Sequence, residues 1–313
     1  MPDWKILITD GLEEKGQSIL RAAAQTDDRS GISAEELNQV IGEYDALIVR
    51  SRTKVNAAVF EAAACLKVVG RAGVGVDNID LSAATKRSIA VVNAPTSTSV
   101  AVAELTLGLM LALCRSIPRA DAAIKSGQWI KQELLGVELN GKVLGIIGLG
   151  NIGKSVGQRA AALGMTVLGY DALLSDEEVA QRGAQPVSLP DLLHRTDFIS
   201  LHVPLSPETR GLIGGQNLAQ MKRGVRIVCT ARGGLIDETA LLGALESGQV
   251  AGAALDVYAQ EPPGLSALVA HPNVIATPHI GAQTVEAQAR AAEDIANEVL
   301  AALRGEPLRW KVV

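Results

Sequence analysis

The sequence predicts an α/β protein with two doubly wound parallel-sheet lobes and an interdomain cleft. Short apolar segments that favour strands alternate with helix-forming segments along most of the 313 residues, which is typical of parallel sheets covered by helices. Glycine-rich turns follow several of these segments. Because the length suits about two domains, we expect residues 1–97 and 285–313 to form one discontinuous domain and residues 98–284 the other.

Composition excludes several classes of protein. The chain is 48% hydrophobic and 20% charged, with a formal net charge of −5, so it has the composition of a globular protein without a basic footprint for nucleic acid. Aromatic residues make up only 3%, which predicts an aliphatic core. The N-terminus leads directly into a predicted strand, and no uncharged apolar segment reaches membrane-spanning length. We therefore expect a cytoplasmic protein that contacts neither membrane nor nucleic acid.

The cysteines give no sign of a disulfide framework or a metal site. Cys65, Cys114 and Cys229 are odd in number, widely spaced and surrounded by apolar residues. Reduced core thiols explain this pattern better than disulfides, metal ligands or nucleophiles. We predict no bound metal.

The first lobe is predicted from four strand and helix alternations. The strands are expected at residues 5–9, 46–49, 68–70 and 89–92, and the helices at residues 13–24, 56–64 and 81–86. A further helix is expected to begin at Ser33, because acids follow in its first turn.

The second lobe continues the alternation after a long apolar helix. Residues 100–115 predict that buried helix, which Pro118 is expected to end. It is followed by a predicted exposed helix at residues 119–128 and a loop or arm at residues 129–139. Strands are expected at residues 143–147, 165–169, 198–203, 225–229, 251–256 and 274–276, and helices at 189–194, 216–221 and 238–247. A terminal helix at 284–302 is expected to return to the first lobe.

One glycine-rich turn carries a nucleotide-binding pattern. Gly148, Gly150 and Gly153 form G-x-G-x-x-G between a predicted strand and helix, where backbone N–H groups and the helix dipole favour a pyrophosphate. Asp171 ends the next strand, 18 residues after Gly153, where a carboxylate accepts hydrogen bonds from ribose hydroxyls and repels a 2′-phosphate. The pattern predicts a Rossmann domain that binds NAD rather than NADP. The alternative is that the glycines serve only packing.

Polar residues stand at the carboxyl ends of other predicted strands, where open parallel sheets bind ligands. A hydride transfer needs a proton donor or acceptor such as histidine, a carboxylate that fixes the histidine tautomer, and a guanidinium for a substrate carboxylate. Residues of these types follow the strands at Arg50, Arg52, Gly73–Gly75, Arg232, Asp256, Glu261 and His279. Spacing alone leaves structural roles open for Arg232, Glu261 and His279, and His194, His202 and His271 are interpreted as structural.

The order of these motifs resembles the D-isomer-specific 2-hydroxyacid dehydrogenase family. The resemblance covers nearly the whole chain. Its motifs are the glycine fingerprint with Asp171, Thr230–Gly234, Ala254–Val257 leading to Glu261-Pro262, and Thr277–Gly281. It implies a flavodoxin-like substrate domain beside the Rossmann domain.

The resemblance also implies roles for individual residues. His279 would be the acid and base, Glu261 its carboxylate partner and Arg232 the anchor for the substrate carboxylate. Backbone N–H groups of Gly73, Val74 and Gly75 would bind the same carboxylate. Arg50 and Arg52 would place positive charge near a substrate phosphate, and Lys131 would reach the neighbouring subunit's site in a homodimer or tetramer.

The cofactor residues follow from the same resemblance. Thr230 and Asp256 would flank the nicotinamide. The full set assigned to NAD is Gly148, Gly150, Asn151, Ile152, Gly153, Asp171, Val203, Pro204, Thr209, Thr230, Ala231, Asp256 and Gly281.

The activity implied by the closest motifs is the NAD-dependent oxidation of 3-phospho-D-glycerate to 3-phosphohydroxypyruvate, the first step of the phosphorylated pathway to serine. One alternative is a family member that reduces glyoxylate, hydroxypyruvate or a bulkier 2-keto acid. Another is a binding protein that senses NAD(H) without catalysis. Because the sequence ends at Val313, serine feedback through a C-terminal regulatory domain is not expected.

Overall fold

The computed structural model describes residues 3–313, which divide into two compact units. Unit 1 contains the residues up to Thr98 and Ala282–Val313, and unit 2 contains Ser99–Gly281. The strands are β1 (Lys5–Ile8), β2 (Gln25–Asp28), β3 (Ala46–Val49), β4 (Val68–Arg71), β5 (Ala90–Asn93), β6 (Val143–Ile147), β7 (Thr166–Tyr170), β8 (Gln185–Pro186), β9 (Phe198–Leu201), β10 (Val225–Cys229), β11 (Val250–Leu255) and β12 (Val274–Ala276).

The helices connect these strands. They are α1 (Glu14–Arg21), α2 (Ala34–Val40), α3 (Ala57–Ala62), α4 (Leu81–Lys86), α5 (Ser99–Arg115), α6 (Ile117–Lys125), α7 (Asn151–Ala162), α8 (Asp176–Gln181), α9 (Leu189–Arg195), α10 (Gly215–Gln220), α11 (Glu238–Glu246) and α12 (Val285–Arg304). Short 3₁₀ segments lie at Ile41–Glu43 and Lys131–Glu133.

Unit 1 is built on a five-stranded parallel sheet in the order β2-β1-β3-β4-β5. This is the flavodoxin-like order, so the predicted fold class is confirmed for this unit. Apolar residues of β1, β3 and β4 are fully buried, as their continuous apolar sequences predict. The edge strand β2 was not predicted, because its sequence is polar and its side chains are partly exposed.

The C-terminal helix α12 packs on this sheet. A Cβ atom on Gly70 of β4 would lie 2.5 Å from Val299 Cγ2, so the glycine allows the helix to approach the strand closely. The buried carboxylate of Glu298 accepts the N–H groups of Arg309 and Trp310 at 3.1 and 3.0 Å. The chain then pairs with β5, where the Val312 N–H donates to the Val91 carbonyl at 2.7 Å.

Unit 2 is built on a seven-stranded parallel sheet in the order β12-β11-β10-β9-β6-β7-β8. The strand order reverses beside β6, which pairs with β7 on one side and β9 on the other. This is the Rossmann order extended by β12, and it confirms the predicted fold of the second lobe. Helix α8 and the edge strand β8 were not predicted, although a capping box formed by Ser175 and Glu178 marks the start of α8.

The connection between α5 and α6 differs from the prediction. Helix α5 ends at Arg115, and Ser116 adopts a φ of 51°. Pro118 lies in the first turn of α6, where its missing N–H costs no hydrogen bond, so it begins the second helix rather than ending the first. Among the described residues no single helix has the length and apolarity to cross a membrane; α5 and α6, bent by 64°, meet those two criteria only as a pair.

The cysteine prediction is partly wrong. Cys114 and Cys229 are buried free thiols, but Cys65 is exposed in the loop between α3 and β4. Within residues 3–313, no three His, Cys, Asp or Glu side chains are grouped as metal ligands.

Candidate active site

The turn between β6 and α7 needs glycine at two positions for structural reasons. Gly148 has a φ of 91°, and a Cβ atom there would lie 2.7 Å from the carbonyl oxygen of His202. A Cβ atom on Gly153 would lie 2.0 Å from the carbonyl oxygen of Gly148. Any side chain at either position would therefore force the backbone to move.

Gly150 has no such structural requirement. Its φ is −62°, and no atom lies within 4 Å of a Cβ built on it. It is the N-cap of α7, which Asn151 and Ile152 begin, and it supplies no side-chain cap. The open space in front of a helix N-terminus fits a pyrophosphate. Packing therefore explains two of the glycines, whereas the third fits the predicted nucleotide.

Asp171 lies beside this turn at the end of β7. Its Oδ2 accepts the Leu149 N–H at 2.8 Å, and its Oδ1 accepts the Leu173 N–H at 2.9 Å. Arg182 Nη1 donates to the Leu149 carbonyl at 2.7 Å. The carboxylate is thus fixed next to the glycine turn, where an adenosine ribose would be expected. The contribution of Arg182 was missed, because nothing in the sequence connects it to Leu149.

The loop after β9 lies next to the same turn. The Val203 side chain is close to Gly148, since a Cβ atom there would be 2.7 Å from Val203 Cγ1. Thr209 Oγ1 donates to the Pro204 carbonyl at 2.7 Å and accepts the Ser206 N–H at 2.8 Å. The Thr209 hydroxyl therefore folds this loop.

His202 has the structural role that the sequence suggested. Its Nε2 lies 2.7 Å from Ser200 Oγ, and its Nδ1 is buried. Burial lowers the pKa of His202 to about 3, so the ring stays neutral at physiological pH.

The end of β10 contributes Thr230. The hydroxyl oxygens of Thr230 and Thr106 are 2.9 Å apart, and both residues are buried. Because Thr106 donates its proton to the Val102 carbonyl at 2.8 Å, Thr230 must be the donor to Thr106. The Thr230 oxygen can therefore only accept hydrogen bonds from other groups. Thr106 lies on α5, far away in the sequence, so this function of its side chain was missed.

Ala231 and Arg232 follow in the same turn. Arg232 Nη1 donates to the Ala231 carbonyl at 2.6 Å. A Cβ atom on Gly233 would lie 1.7 Å from the Tyr258 carbonyl oxygen, so the turn packs directly against the loop after β11. The structure thereby brings Arg232 close to the segment that carries Glu261.

Asp256 is fully buried and organises the loop after β12. Its Oδ1 accepts the Thr277 hydroxyl at 2.6 Å and the Ile280 N–H at 2.9 Å, and its Oδ2 accepts the Gly281 N–H at 2.8 Å. A Cβ atom on Gly281 would approach Asp256 Oδ2 to 3.2 Å. Asp256 therefore holds both sides of His279 in place.

His279 and Glu261 form an ion-pair geometry. His279 Nδ1 lies 2.8 Å from Glu261 Oε2, and the two side chains are 45% and 39% exposed. The other carboxylate oxygen, Oε1, accepts the Tyr258 N–H at 3.1 Å. His279 has a φ of 52°, an uncommon conformation for a non-glycine residue, which the contacts of Asp256 maintain. This arrangement leaves Nε2 as the ring nitrogen available to a substrate.

Tyr258 connects the two segments that carry Glu261 and His279. Its hydroxyl lies 2.9 Å from the Leu255 carbonyl and 3.0 Å from the Thr277 carbonyl, so one side chain connects the ends of β11 and β12. Burial raises the pKa of Tyr258, so its hydroxyl stays protonated and able to donate. Tyr258 was not predicted as a site residue, because an aromatic residue after a strand usually belongs to the core.

The two arginines predicted to bind the substrate phosphate, both in unit 1, differ in the contacts of their guanidinium groups. Arg50 Nη2 lies 3.3 Å from Gln283 Oε1. Arg52 instead donates to the carbonyl oxygens of Thr9 and Ile32 at 2.5 and 3.1 Å, and its Nη2 lies 3.0 Å from Asp10 Oδ1. The Arg52 side chain therefore makes more contacts within the protein than the Arg50 side chain does.

The glycine turn of unit 1 also differs from the expectation. Gly73, with a φ of 143°, donates its N–H to the Arg71 carbonyl at 2.8 Å. That N–H is used inside the turn, so the expectation that Gly73 donates to a substrate is not supported. Substrate binding by the N–H groups of Val74 and Gly75 stays a prediction. The turn is held by Asn93 Nδ2, which donates to the Val74 carbonyl at 2.7 Å.

Lys131 lies on the arm after α6, in unit 2. It lines a cavity of about 980 Å³ together with Trp129 and Leu135. Those two apolar side chains are 81% and 97% exposed.

Comparisons with known proteins agree with this geometry. Residues 107–281 match the family described as D-isomer specific 2-hydroxyacid dehydrogenase, NAD binding domain. D-3-phosphoglycerate dehydrogenase of Rattus norvegicus is 49% identical over 97% of this chain and 57% of its own length. That of Methanocaldococcus jannaschii is 50% identical over 96% of this chain and 58% of its own length. The chain thus spans less than two thirds of these curated relatives.

A solved structure extends the comparison over the complete chain. The structure of a glyoxylate reductase from Paecilomyes thermophila is 33% identical, covers 100% of this chain and 99% of its own, and has a TM-score of 0.91. The matched NAD binding domain contains the glycine turn, Asp171 and the Glu261 and His279 pair. NAD is therefore the cofactor, and the chain belongs to the D-isomer specific 2-hydroxyacid dehydrogenase family.

Proposed function

We propose that the chain catalyses the NAD-dependent oxidation of 3-phospho-D-glycerate to 3-phosphohydroxypyruvate, and the reverse reduction. The observation that carries this proposal is the contact of His279 Nδ1 with Glu261 Oε2 at 2.8 Å. It provides a histidine of fixed orientation in a unit that binds NAD, which is what proton transfer coupled to hydride transfer requires.

His279 acts on the substrate hydroxyl. With a proton on Nδ1 directed at Glu261, Nε2 carries a lone pair and accepts the proton from the C2 hydroxyl during oxidation. The ring then carries a positive charge next to the Glu261 carboxylate, which stabilises it. In the reduction, Nε2 returns the proton to the carbonyl oxygen. The bound nicotinamide supplies the hydride acceptor or donor.

Arg232 binds the substrate carboxylate in this proposal. A guanidinium can form two parallel hydrogen bonds to a carboxylate and so fixes the C2 atom relative to His279. The packing of Gly233 against the Tyr258 carbonyl supports this role, because it places Arg232 in a turn adjoining the Glu261 segment. The N–H groups of Val74 and Gly75 are the predicted further donors.

The cofactor is held by the residues that the fingerprint predicted. The open space at Gly150 supports pyrophosphate binding at α7, begun by Asn151 and Ile152. Asp171 would accept the ribose hydroxyls. The Thr230 oxygen, limited to accepting, and the loop held by Asp256 would border the nicotinamide.

The phosphate of the substrate is the feature that separates the proposed activity from others in the family. The similarity to relatives named D-3-phosphoglycerate dehydrogenase supports a phosphorylated acid as the substrate. Arg50 supplies the positive charge that such a substrate needs. With that substrate, the chain would act in the phosphorylated pathway to serine. The similarity to a glyoxylate reductase makes glyoxylate or hydroxypyruvate reduction the second candidate.

We further infer that the protein is a homodimer. The exposed apolar side chains Trp129 and Leu135 and the adjoining cavity give a second copy an apolar surface to bury. Lys131 on the same arm would then reach the partner's site. A monomeric protein by analytical ultracentrifugation, or a dimer that persists in Leu135→Asp, would argue against this arm as the interface. A cytoplasmic location stays a prediction.

The test of the activity is NADH oxidation with 3-phosphohydroxypyruvate, hydroxypyruvate, glyoxylate and 2-ketoglutarate at equal concentrations. We expect kcat/KM to favour the phosphorylated acid by about a hundredfold or more, which corresponds to roughly 2.7 kcal/mol in the transition state. A preference for an unphosphorylated acid would remove the proposed substrate and leave the hydride chemistry intact.

A further inference from the structure

The segment that carries Arg50 is held by one buried carboxylate. Asp10 follows β1, and its side chain is only 3% exposed. Its Oδ2 accepts the N–H groups of Arg50 at 2.8 Å and Thr53 at 3.1 Å, and its Oδ1 accepts the Thr53 hydroxyl at 2.5 Å. Asp10 therefore determines the backbone conformation at both ends of the segment 50–53.

The carbonyl side of the same segment is held by Asn78. Its Nδ2 donates to the Arg50 carbonyl at 3.0 Å and to the Thr53 carbonyl at 2.7 Å. The N–H and carbonyl groups of Arg50 are thus both used for internal hydrogen bonds, which fixes its backbone, while its guanidinium contacts Gln283 Oε1 at 3.3 Å. Such a doubly held loop is expected to keep Arg50 in a narrow range of positions.

Arg52 completes the contacts of Asp10. Its Nη2 lies 3.0 Å from Asp10 Oδ1 and 2.5 Å from the Thr9 carbonyl, and its Nη1 donates to the Ile32 carbonyl at 3.1 Å. Moving this guanidinium onto a ligand would leave the buried Asp10 carboxylate without its cation. Burial would raise the pKa of Asp10, but hydrogen bonds from Thr53 and Arg50 and the charge of Arg52 outweigh it, so the pKa lies below its ordinary value and the carboxylate is ionised.

We propose that Asp10 and Arg52 are positioning residues that hold the segment 50–53 so that Arg50, and not Arg52, binds the phosphate of the substrate. This inference rests on the proposed function, because it requires a phosphorylated substrate. It changes the role predicted for Arg52 from contact with the phosphate to support of the residue that makes the contact.

The test is a double-mutant cycle on the preference for phosphate. The measured quantity is kcat/KM for 3-phosphohydroxypyruvate divided by kcat/KM for hydroxypyruvate. It is determined for the unmodified protein, Arg50→Ala, Arg52→Ala, Asp10→Asn and the double variants Arg50→Ala/Arg52→Ala and Arg50→Ala/Asp10→Asn. Arg21→Ala is the matched control, because it removes an arginine from the exposed surface of α1 in the same unit.

The expected result is non-additive. Arg50→Ala should bring the ratio close to one, and Arg52→Ala and Asp10→Asn should each lower it by about three- to tenfold when Arg50 is present and by less than about twofold when it is absent. If Arg52 itself binds the phosphate, Arg52→Ala will lower the ratio by the same factor in both backgrounds, and the inference is refuted. Should Asp10→Asn fail to fold, the Arg50 and Arg52 cycle decides the question alone.

The unmodified protein separates this inference from the function on which it rests. A high ratio with additive losses refutes the positioning role while the proposed substrate stands. A ratio near one before any substitution refutes the proposed substrate, and the inference with it.

Discussion

Replacing Glu261 by glutamine tests the central pair of the proposed mechanism. Glu261 accepts on both oxygens: Oε1 from the Tyr258 N–H at 3.1 Å and Oε2 from His279 Nδ1 at 2.8 Å. A glutamine amide can accept on only one of its two ends. If its oxygen stays on Tyr258, its NH₂ faces Nδ1 and moves the ring proton to Nε2, the atom that must accept the substrate proton. If the amide turns around, its NH₂ opposes the Tyr258 N–H.

The size of the effect follows from the lost charged hydrogen bond. Such a bond contributes about 1.5–3 kcal/mol, which is roughly 10- to 150-fold in rate. Both side chains are partly exposed, 45% for His279 and 39% for Glu261, and solvent screening favours the lower half of that range. We therefore expect kcat/KM for oxidation of the 2-hydroxy acid to fall by about 10- to 50-fold.

The assay is NADH formation at 340 nm, with NADH binding by fluorescence measured in parallel. Glu238→Gln is the matched control, because the Glu238 carboxylate accepts the Ala259 N–H of the same loop at 2.7 Å. Its amide oxygen can keep that bond, so its rate should stay within about twofold of the unmodified protein. A loss below about threefold in Glu261→Gln, or an equal loss in both variants, would refute the tautomer argument.

Further predictions concern the cofactor turn and a buried histidine. Gly150→Ala should leave the midpoint of thermal unfolding unchanged but weaken NADH binding by about tenfold or more. Gly153→Ala should lower the midpoint by roughly 5 °C or more, because its Cβ atom would lie 2.0 Å from a carbonyl oxygen. Equal midpoints for the two variants would contradict the packing role of Gly153. Asp171→Asn should raise kcat/KM for NADPH relative to NADH by about tenfold, and an unchanged ratio would exclude Asp171 from the ribose site. The pKa of His202 is about 3 when folded and ordinarily 6.5, so stability present above pH 6.5 is lost as the pH falls toward 3. Urea unfolding at pH 7 and pH 5 should show that the free energy of unfolding falls by about 2 kcal/mol less in His202→Gln than in the unmodified protein. An identical fall in both proteins would refute the low pKa of His202.

The central strands of the fold were predictable because nearly all of their residues are buried. The strands β3, β6 and β10 have the predicted bounds, since mostly apolar sequences end abruptly at polar or glycine residues. The edge strand β12 also has its predicted bounds, although it is only partly buried. The edge strands β2 and β8 were missed for the opposite reason. Neither has a continuous apolar sequence, and both form only because a neighbouring strand offers hydrogen bonds.

The residues of the candidate site were predictable where a charged or histidine side chain follows a strand. Asp171, Arg232 and His279 all follow strands of a parallel sheet, and the carboxyl ends of such strands lie at one edge. Family resemblance supplied the pairing of Glu261 with His279, and the observed contact of 2.8 Å agrees with it. Local sequence did not reveal the residues that hold site groups in place: Tyr258 for Glu261, Thr106 for Thr230 and Asp10 for Arg50.

The sequence by itself determined the two parallel sheets, the glycine turn and the residue types available for hydride transfer, because periodicity, glycine spacing and strand ends are local properties. Only the tertiary structure decided which of those side chains are committed to internal contacts. Arg50 and Arg52 are alike in sequence, two positions apart, but of their two guanidinium groups only that of Arg52 contacts the buried Asp10 carboxylate and two backbone carbonyls. Hydrogen bonds between distant segments depend on how the chain packs, and no local pattern records them.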